Sequence, residues 1–229
     1  MYELYIANKN YSSWSLRPWL LMRELGIEFA EHLMPFGDGS RWEALRKISP
    51  SGKVPCLRDG PTVVWDSLAI TEYLAERHGA VWPSDPSARA FARCAAAEMH
   101  SGFTELRNRC SMSCGLRARL KESPPALARE LARLVQLFGE GLARFGGPFL
   151  AGKQLTAADA FFAPVAFRVQ SYALELGGEA PGYLARLLAL PGMQAWYAAG
   201  LAEKFRDLPH EQEIAQMATV IQDLRVPPD

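Results

Sequence analysis

The sequence predicts two domains, a small α/β domain followed by a larger all-helical one. Residues 1–80 of the 229-residue chain alternate strand and helix patterns in the order β-α-β-α-β-β-α. The stretch AVWPSDPSAR after Gly79 contains two prolines and is typical of a linker. Beyond it, apolar residues recur about every 3.6 residues, which is the period of amphipathic helices. We therefore divide the chain into a domain of residues 1–80 and a domain of residues 87–229.

Each element of the first domain has a local signal. Gly26 and Gly79 follow two of the helices, as C-capping glycines do. Pro55 lies one residue into a strand and cannot donate to a strand ladder, so it belongs at an edge or in a special turn. The predicted elements, in order, are a strand at Glu3–Ala7, a helix at Ser12–Leu25, a strand at Glu28–Met34, a helix at Ser40–Lys47, strands at Val54–Asp59 and Thr62–Trp65, and a helix at Asp66–His78.

The second domain is predicted to be a helical bundle around one buried axis. Apolar residues step at helical spacing through Ala90–Cys110, which we expect to form one helix. In GKQLTAADAFFAPVAF, Thr156 is followed three residues later by Asp159, the pattern of a capping box. The helix after it is apolar nearly all round, which predicts a buried position. Its Arg168 must therefore reach a cleft or find a buried acid.

Composition excludes several classes of partner. Lys and Arg together number 25, as do Asp and Glu, so the formal charge is zero and nothing points to nucleic acid or an anionic membrane. No apolar run approaches the roughly 18 residues of a membrane helix, and the N-terminus lacks the layout of a signal peptide. We expect a cytoplasmic protein.

The cysteines point to a reducing compartment and to no metal. Four cysteines at irregular spacing do not make a disulfide framework. Cys110 and Cys114 are four residues apart, with His100 upstream, and could form half of a metal site. No second Cys/His pair supplies the remaining ligands, and the spacing is not the C-x-x-C of a redox dithiol.

Hydroxyl groups crowd the start of the first helix, in the stretch NYSSWSLRPWLLMREL. Serines there can cap the helix, but three are more than capping needs. A helix N-terminus also stabilises anions, and a hydroxyl beside it can donate a hydrogen bond to a thiolate. Asp66 and Ser67 open another helix with the same two interpretations. They are a cap, or they hold the ammonium and the carboxylate of an amino acid or peptide.

Four motifs, in order and spacing, resemble the cytosolic glutathione S-transferase family in its serine-type, bacterial-like form. They are Tyr11–Arg17, Gly52–Pro55, the pair Asp66 and Ser67, and Leu155–Asp159. The resemblance spans nearly the whole chain. It implies a thioredoxin-like N-terminal domain, an all-α C-terminal domain that contributes the second-substrate site, glutathione as cosubstrate, no metal, and a homodimer.

The resemblance also implies roles for individual residues in the binding of glutathione. Pro55 stands at the position of the family's cis-proline, so Val54 should offer its backbone N–H and C=O to the cysteinyl part of glutathione. Lys53 resembles a residue that contacts the glycyl end. Asp66 and Ser67 match the pair that binds the γ-glutamyl group.

For the catalytic hydroxyl, the resemblance favours Ser12, because serine-type classes carry an arginine five residues on, here Arg17. Ser13 is the alternative, and Tyr11 remains possible although it lies before the helix. Trp14 stands where the zeta-like isomerase class has a cysteine. This departure weakens a cysteine-dependent isomerase mechanism and leaves serine-assisted thiolate chemistry intact.

The function that the resemblance implies is attack of the glutathione thiolate on a small electrophile, in conjugation or in peroxide reduction. The alternatives are a non-catalytic protein that binds glutathione or another ligand, and a glutathione-dependent isomerase of a small dicarboxylate. The isomerase would need Arg107 or Arg168 for the second carboxylate. The residues expected to line the second-substrate pocket are Met99, His100, Phe103, Arg107 and Arg168.

Overall fold

The computed structural model describes residues 1–37 and 39–228 of the chain. The β-α-β-α-β-β-α order predicted for the first half is confirmed. Its elements are β1 (Tyr2–Ile6), α1 (Ser13–Glu24), β2 (Phe29–Leu33), α2 (Gly39–Arg46), β3 (Cys56–Asp59), β4 (Thr62–Trp65) and α3 (Ser67–Ala75).

The four strands form one mixed sheet in the order β2-β1-β3-β4. β1 runs parallel to β2 and antiparallel to β3, and β3 and β4 form an antiparallel hairpin. In this register Cys56 pairs with both Tyr5 and Trp65. The end of β1, the start of β3 and the end of β4 therefore meet at one edge of the sheet. The Val54–Pro55 peptide bond, just before β3, is cis, as the family resemblance implied.

The second half is helical, as predicted, with one addition. Its elements are α4 (Pro86–Ser101), α5 (Thr104–Arg109), β5 (Leu116–Leu120), α6 (Pro125–Phe145), α7 (Ala157–Tyr172), α8 (Ala180–Leu188), α9 (Pro191–Ala202), α10 (Leu208–Met217) and β6 (Ala218–Asp223). The addition is the antiparallel pair β5–β6, which the sequence analysis did not expect.

The period-two pattern of β5 explains why this strand forms. In LRARL, Leu116 and Ala118 are buried while Arg119 is exposed and Arg117 is half-buried. This is the alternation of a half-buried strand, but arginine is equally common on helix surfaces. Because the stretch is short and β6 lies about one hundred residues later in the chain, local pattern did not reveal the pairing.

The single helix expected over Ala90–Cys110 is wrong. α4 ends at Ser101, and α5 begins at Thr104. Phe103, between them, has a φ of 57°, a left-handed conformation that an α-helix cannot contain. The break redirects the chain, so the residues on either side of it face different surroundings.

α7 is the buried axis of the second half. Fourteen of its sixteen residues are buried, and it packs against α1, α4, α8 and β5. Its N-terminus has the predicted capping box, in which the Thr156 amide donates to Asp159 Oδ2 at 2.9 Å. Asp159 also accepts hydrogen bonds from the Leu150 amide at 3.0 Å and from the Tyr183 hydroxyl at 3.0 Å. One fully buried carboxylate thus joins three segments of the domain.

No helix in the described part of the chain combines the length and the apolar character required to cross a membrane.

We expect Asp159→Ala to lower the free energy of unfolding by about 3 kcal/mol or more, because several buried donors lose their acceptor at once. Asp159→Asn keeps one acceptor oxygen and should cost less. Urea unfolding of the native protein and both variants measures the difference. Equal losses for the two variants would contradict the account of Asp159 as a shared acceptor.

Candidate functional site

A cleft of about 680 Å³ opens at the sheet edge where the strand ends meet. The first turn of α1 and the residues before β3 form one side of it, and the segment after β2 forms another. Residues after α5, together with α7 and α10, close it from the second half of the chain. The cleft therefore takes side chains from both halves.

Ser12 lies in the wall of the cleft, but its hydroxyl hydrogen is used inside the turn. Ser12 Oγ donates to Ser15 Oγ at 2.8 Å, and Ser15 Oγ also accepts from the Ala7 amide at 3.2 Å. Ser12 occupies the N-cap position of α1, yet its side chain makes no capping hydrogen bond. The Ser12 hydroxyl therefore helps to hold the Ser15 side chain in contact with the backbone at the end of β1.

Ser13, the first residue of α1, also lies in the cleft wall and has a different partner. Its Oγ accepts a hydrogen bond from Arg168 Nη2 at 3.4 Å. Within the described part of the chain this is the one hydrogen bond of the Ser13 side chain. Since no described residue accepts its hydroxyl hydrogen, that hydrogen can donate to a ligand in the cleft.

Arg168 reaches the cleft and does not pair with a buried acid. The side chain is buried, and its guanidinium donates to the carbonyl oxygens of Arg107 and Cys110. Burial lowers the pKa of Arg168 to about 10, so the group still carries its charge at neutral pH. A buried charge without a carboxylate partner favours an anionic ligand beside it.

Two more guanidinium groups lie close to Arg168, around the ring of Trp14. The Cζ atoms of Arg17 and Arg107 are 4.1 and 4.8 Å from the ring centroid. The pKa of Arg17 is lowered well below its usual value, first by burial and then by the charges of Arg107 and Arg168. The three arginines give this end of the cleft a positive potential.

Tyr11, the third candidate for the hydroxyl, is engaged by the C-terminal segment. Its hydroxyl donates to Glu211 Oε1 at 2.5 Å and accepts from Arg225 Nη1 at 2.9 Å. Burial, and then the hydrogen bond to Glu211, raise the pKa of Tyr11. Its hydroxyl hydrogen is therefore not available to a ligand in the cleft.

The residues predicted to bind glutathione gather at the same edge of the sheet. Lys53 and Val54 line the cleft, and Pro55 follows them. Asp66 and Ser67 come directly after β4, whose last residue pairs with Cys56. The hairpin register thus brings both groups to one end of β3 and β4.

Asp66 serves as the predicted cap, since its Oδ1 accepts from the Leu68 amide at 2.8 Å. Its φ of 67° is unusual for a residue other than glycine, and such backbone strain concentrates at functional sites. Ser67 is fully buried, and its Oγ accepts from Arg17 Nη1 at 3.5 Å. The pair therefore adjoins the arginine cluster.

The predicted second-substrate residues separate into two groups. Arg107 and Arg168 line the cleft. Met99 and Phe103 are 1% and 6% exposed and belong to the hydrophobic core, Met99 on the buried face of α4 and Phe103 at the break after it. His100 packs edge-on against Trp14, with its Nε2 3.6 Å from Asp66 Oδ1, and burial lowers its pKa despite that carboxylate.

The cysteines are free, and three of them are buried. Burial raises the pKa of Cys110 to about 12 and also raises the pKa of Cys114, which makes them poor nucleophiles. In the described residues, no group of three His, Cys, Asp or Glu side chains could hold a metal ion.

Comparison with protein-family models identifies the family to which the chain belongs. Residues 11–77 match the model of the glutathione S-transferase N-terminal domain. Residues 90–199 match the model of the glutathione S-transferase C-terminal domain. The chain belongs to the glutathione S-transferase family. The family resemblance of the four sequence motifs is thereby confirmed.

Individual members of the glutathione S-transferase family are similar at low identity. A probable maleylacetoacetate isomerase of Caenorhabditis elegans is 27% identical over 182 residues, covering 76% of this chain and 81% of the relative. A zeta-class glutathione S-transferase of Euphorbia esula is 28% identical, with coverage of 71% and 73%. A glutathione transferase homologue from Burkholderia GL BGR1, solved with bound glutathione, has a TM-score of 0.64 at 22% identity, with coverage of 87% and 97%.

Sequence reasoning did not place His210 in the cleft of this glutathione S-transferase. His210, on α10, lines the cleft, and its Nδ1 lies 2.5 Å from Asp207 Oδ2. The sequence DLPHE signals a helix start at Asp207, but no local pattern places that helix beside Tyr11. α10 also lies beyond residue 199, where the match to the family model ends.

We expect Tyr11→Phe to lower the free energy of unfolding by about 1–2 kcal/mol, because Glu211 and Arg225 lose a buried hydroxyl between them. Urea unfolding measures the change. Tyr5→Phe is the matched control, since the Tyr5 hydroxyl makes no hydrogen bond to the described residues and its loss should be close to neutral. Equal effects of the two substitutions would contradict the structural role of Tyr11.

Proposed function

We propose that the chain is a glutathione transferase that holds the sulfur of glutathione at the first turn of α1. The thiolate then attacks a small electrophile in the cleft, by conjugation or by reduction of a peroxide. One observation carries the proposal. The Ser13 hydroxyl lies in the wall of the cleft, its oxygen accepts from Arg168, and no described residue accepts its hydrogen.

The free energies of the hydrogen bonds involved favour Ser13 over Ser12 as the donor to the glutathione sulfur. A charge-assisted hydrogen bond contributes about 1.5–3 kcal/mol, which equals a lowering of the thiol pKa by roughly one to two units. To donate to the sulfur, Ser12 would first have to break its hydrogen bond to Ser15. The Ser13 hydroxyl does not donate to any described residue, so it breaks no hydrogen bond. The positive N-terminal end of α1 and the charge of Arg168 both stabilise the thiolate sulfur and so lower the pKa of the thiol further. Together these effects are sufficient to ionise a thiol at neutral pH.

The rest of the tripeptide would extend along the sheet edge. Val54 would pair with the cysteinyl backbone, and Lys53 would contact the glycyl carboxylate. Asp66 and Ser67 would bind the ammonium and the carboxylate of the γ-glutamyl end, with Arg17 behind Ser67 as a further counter-charge. The homodimer, the cytoplasmic location and the domain limits 1–80 and 87–229 remain predictions from the sequence.

A second candidate is the glutathione-dependent isomerisation of a small dicarboxylate. The observation in its favour is that Arg107 and Arg168 line the cleft and neither forms an ion pair with the described residues. The similar protein of Caenorhabditis elegans is described as a probable isomerase of this kind. Trp14 at the place of a cysteine argues against a mechanism that depends on that cysteine.

We expect Ser13→Ala to raise the pKa of the bound glutathione thiol by about one unit, because the thiolate loses a donor and the neutral thiol loses little. Ultraviolet absorbance of the thiolate across a pH series measures this. At neutral pH, kcat/KM for an aryl halide should fall about three- to fivefold with the thiolate fraction.

Three matched variants sharpen that experiment. Ser13→Thr keeps the hydroxyl and should retain most of the ionisation, while Ser12→Ala and Tyr11→Phe should leave the thiol pKa near its native value. If Ser12→Ala alone reverts the pKa, Ser12 is the donor. If glutathione binds to the native protein without any lowering of its pKa, the protein is a non-catalytic binder.

We expect Arg107→Gln to separate the two candidate reactions. It removes one positive charge from the cleft without touching Ser13. For an isomerase, KM for the dicarboxylate maleylacetoacetate should rise at least about tenfold, the value of one lost charge-assisted hydrogen bond. For conjugation of an uncharged aryl halide, KM should change less than about twofold. Steady-state kinetics on both substrates decides between them.

A further inference from the structure

We propose that His210, oriented by Asp207, is a general acid that delivers a proton to the second substrate as the thiolate attacks it. The proposal rests on the proposed transferase function and extends it to a class of substrate. That class comprises electrophiles whose oxygen gains negative charge when sulfur bonds to carbon, such as epoxides.

The geometry is that of a carboxylate–imidazole pair in the wall of a cavity. His210 Nδ1 lies 2.5 Å from Asp207 Oδ2, and the His210 side chain is about one quarter exposed. Because Nδ1 is taken by the carboxylate, Nε2 is the ring nitrogen left for a ligand in the cleft. When both ring nitrogens carry hydrogen, Nδ1 can donate to Asp207 while Nε2 donates to a substrate.

Asp207 has a simpler role as well, since it caps α10. Its Oδ2 accepts from the His210 amide at 3.3 Å, and capping accounts for that contact alone. The shorter contact to the imidazole is an additional one that a cap does not need. The two roles can be separated by Asp207→Asn. Asparagine still caps the helix, but it lacks the negative charge that orients the imidazole.

Two aromatic rings pack against the His210 imidazole. Its centroid lies 5.3 Å from that of Tyr11 and 5.1 Å from that of Phe36, and both residues line the cleft. Arg225 joins Glu211 of α10 to the hydroxyl of Tyr11, which fixes the helix against the entry to α1. Such preorganisation is what a proton donor needs, since small displacements reduce transfer sharply.

The chemical step balances without any further reactant. The thiolate sulfur forms a bond to an epoxide carbon, the carbon–oxygen bond breaks, and its electron pair goes to oxygen. Oxygen takes the proton from His210 Nε2, and the neutral imidazole recovers a proton from water. In substitution on an aryl chloride, by contrast, chloride leaves with the electron pair and no proton is needed.

This contrast supplies the experiment. Native protein, His210→Gln and Asp207→Asn are assayed with glutathione and either styrene oxide or chlorodinitrobenzene. We expect His210→Gln to lower kcat for styrene oxide about 100-fold, the usual contribution of a positioned acid, and kcat for chlorodinitrobenzene less than about threefold. Asp207→Asn should lower kcat for styrene oxide about tenfold with KM unchanged, as expected for a positioning residue.

His78→Gln is the control, since His78 bonds to the Tyr2 hydroxyl and does not line the cleft. It should leave both activities unchanged. Equal losses on both substrates in His210→Gln, or native protein that uses chlorodinitrobenzene but not styrene oxide, would overturn the role of His210. Absence of thiolate absorbance with bound glutathione would instead overturn the proposed function, and this inference with it.

Discussion

The contact between α1 and α7 is the constraint on which the candidate site depends. α1 begins with the serines that follow β1, and α7 carries Arg168 from the opposite half of the chain. Where the two helices pack, the Arg168 guanidinium lies against Ser13 Oγ. The buried character of α7 makes this possible, because a helix packed on all sides cannot withdraw the side chain of Arg168 into solvent. That charge has to be accommodated in the cleft.

A positive cleft then follows because the three arginines form no ion pair with the described carboxylates. Arg17 and Arg107 stack around Trp14, and Arg168 bonds to carbonyl oxygens, so no described carboxylate pairs with them at short range. Burying cations in this way costs free energy, which a thiolate or a carboxylate ligand would offset. The chain thus carries a destabilising arrangement at its cleft, and the capping box at Asp159 contributes stability elsewhere in α7.

The C-terminal segment lies outside the residues that match the family models. α10 and β6 lie beyond the matched residues, yet α10 supplies His210 to the cleft and β6 leads into Arg225, which holds Tyr11. A hydroxyl that looks available in the sequence is thereby turned into a structural contact. The same clamp holds α10, which brings His210 into the wall of the cleft that Arg107 and Arg168 also line.

The sequence by itself determined the order of the first domain, the helical second half, the cap at Thr156 and Asp159, and the family, because these depend on short-range periodicity and on motifs in a fixed order. Tertiary structure alone decided the pairing of β5 with β6, the break between α4 and α5, and the inward position of Met99 and Phe103. It also decided the partner of each hydroxyl at the start of α1, since two of the three partners lie far along the chain. Ser12, Ser13 and Tyr11 are neighbours in sequence, but their hydroxyls bond to Ser15, Arg168 and Glu211 respectively.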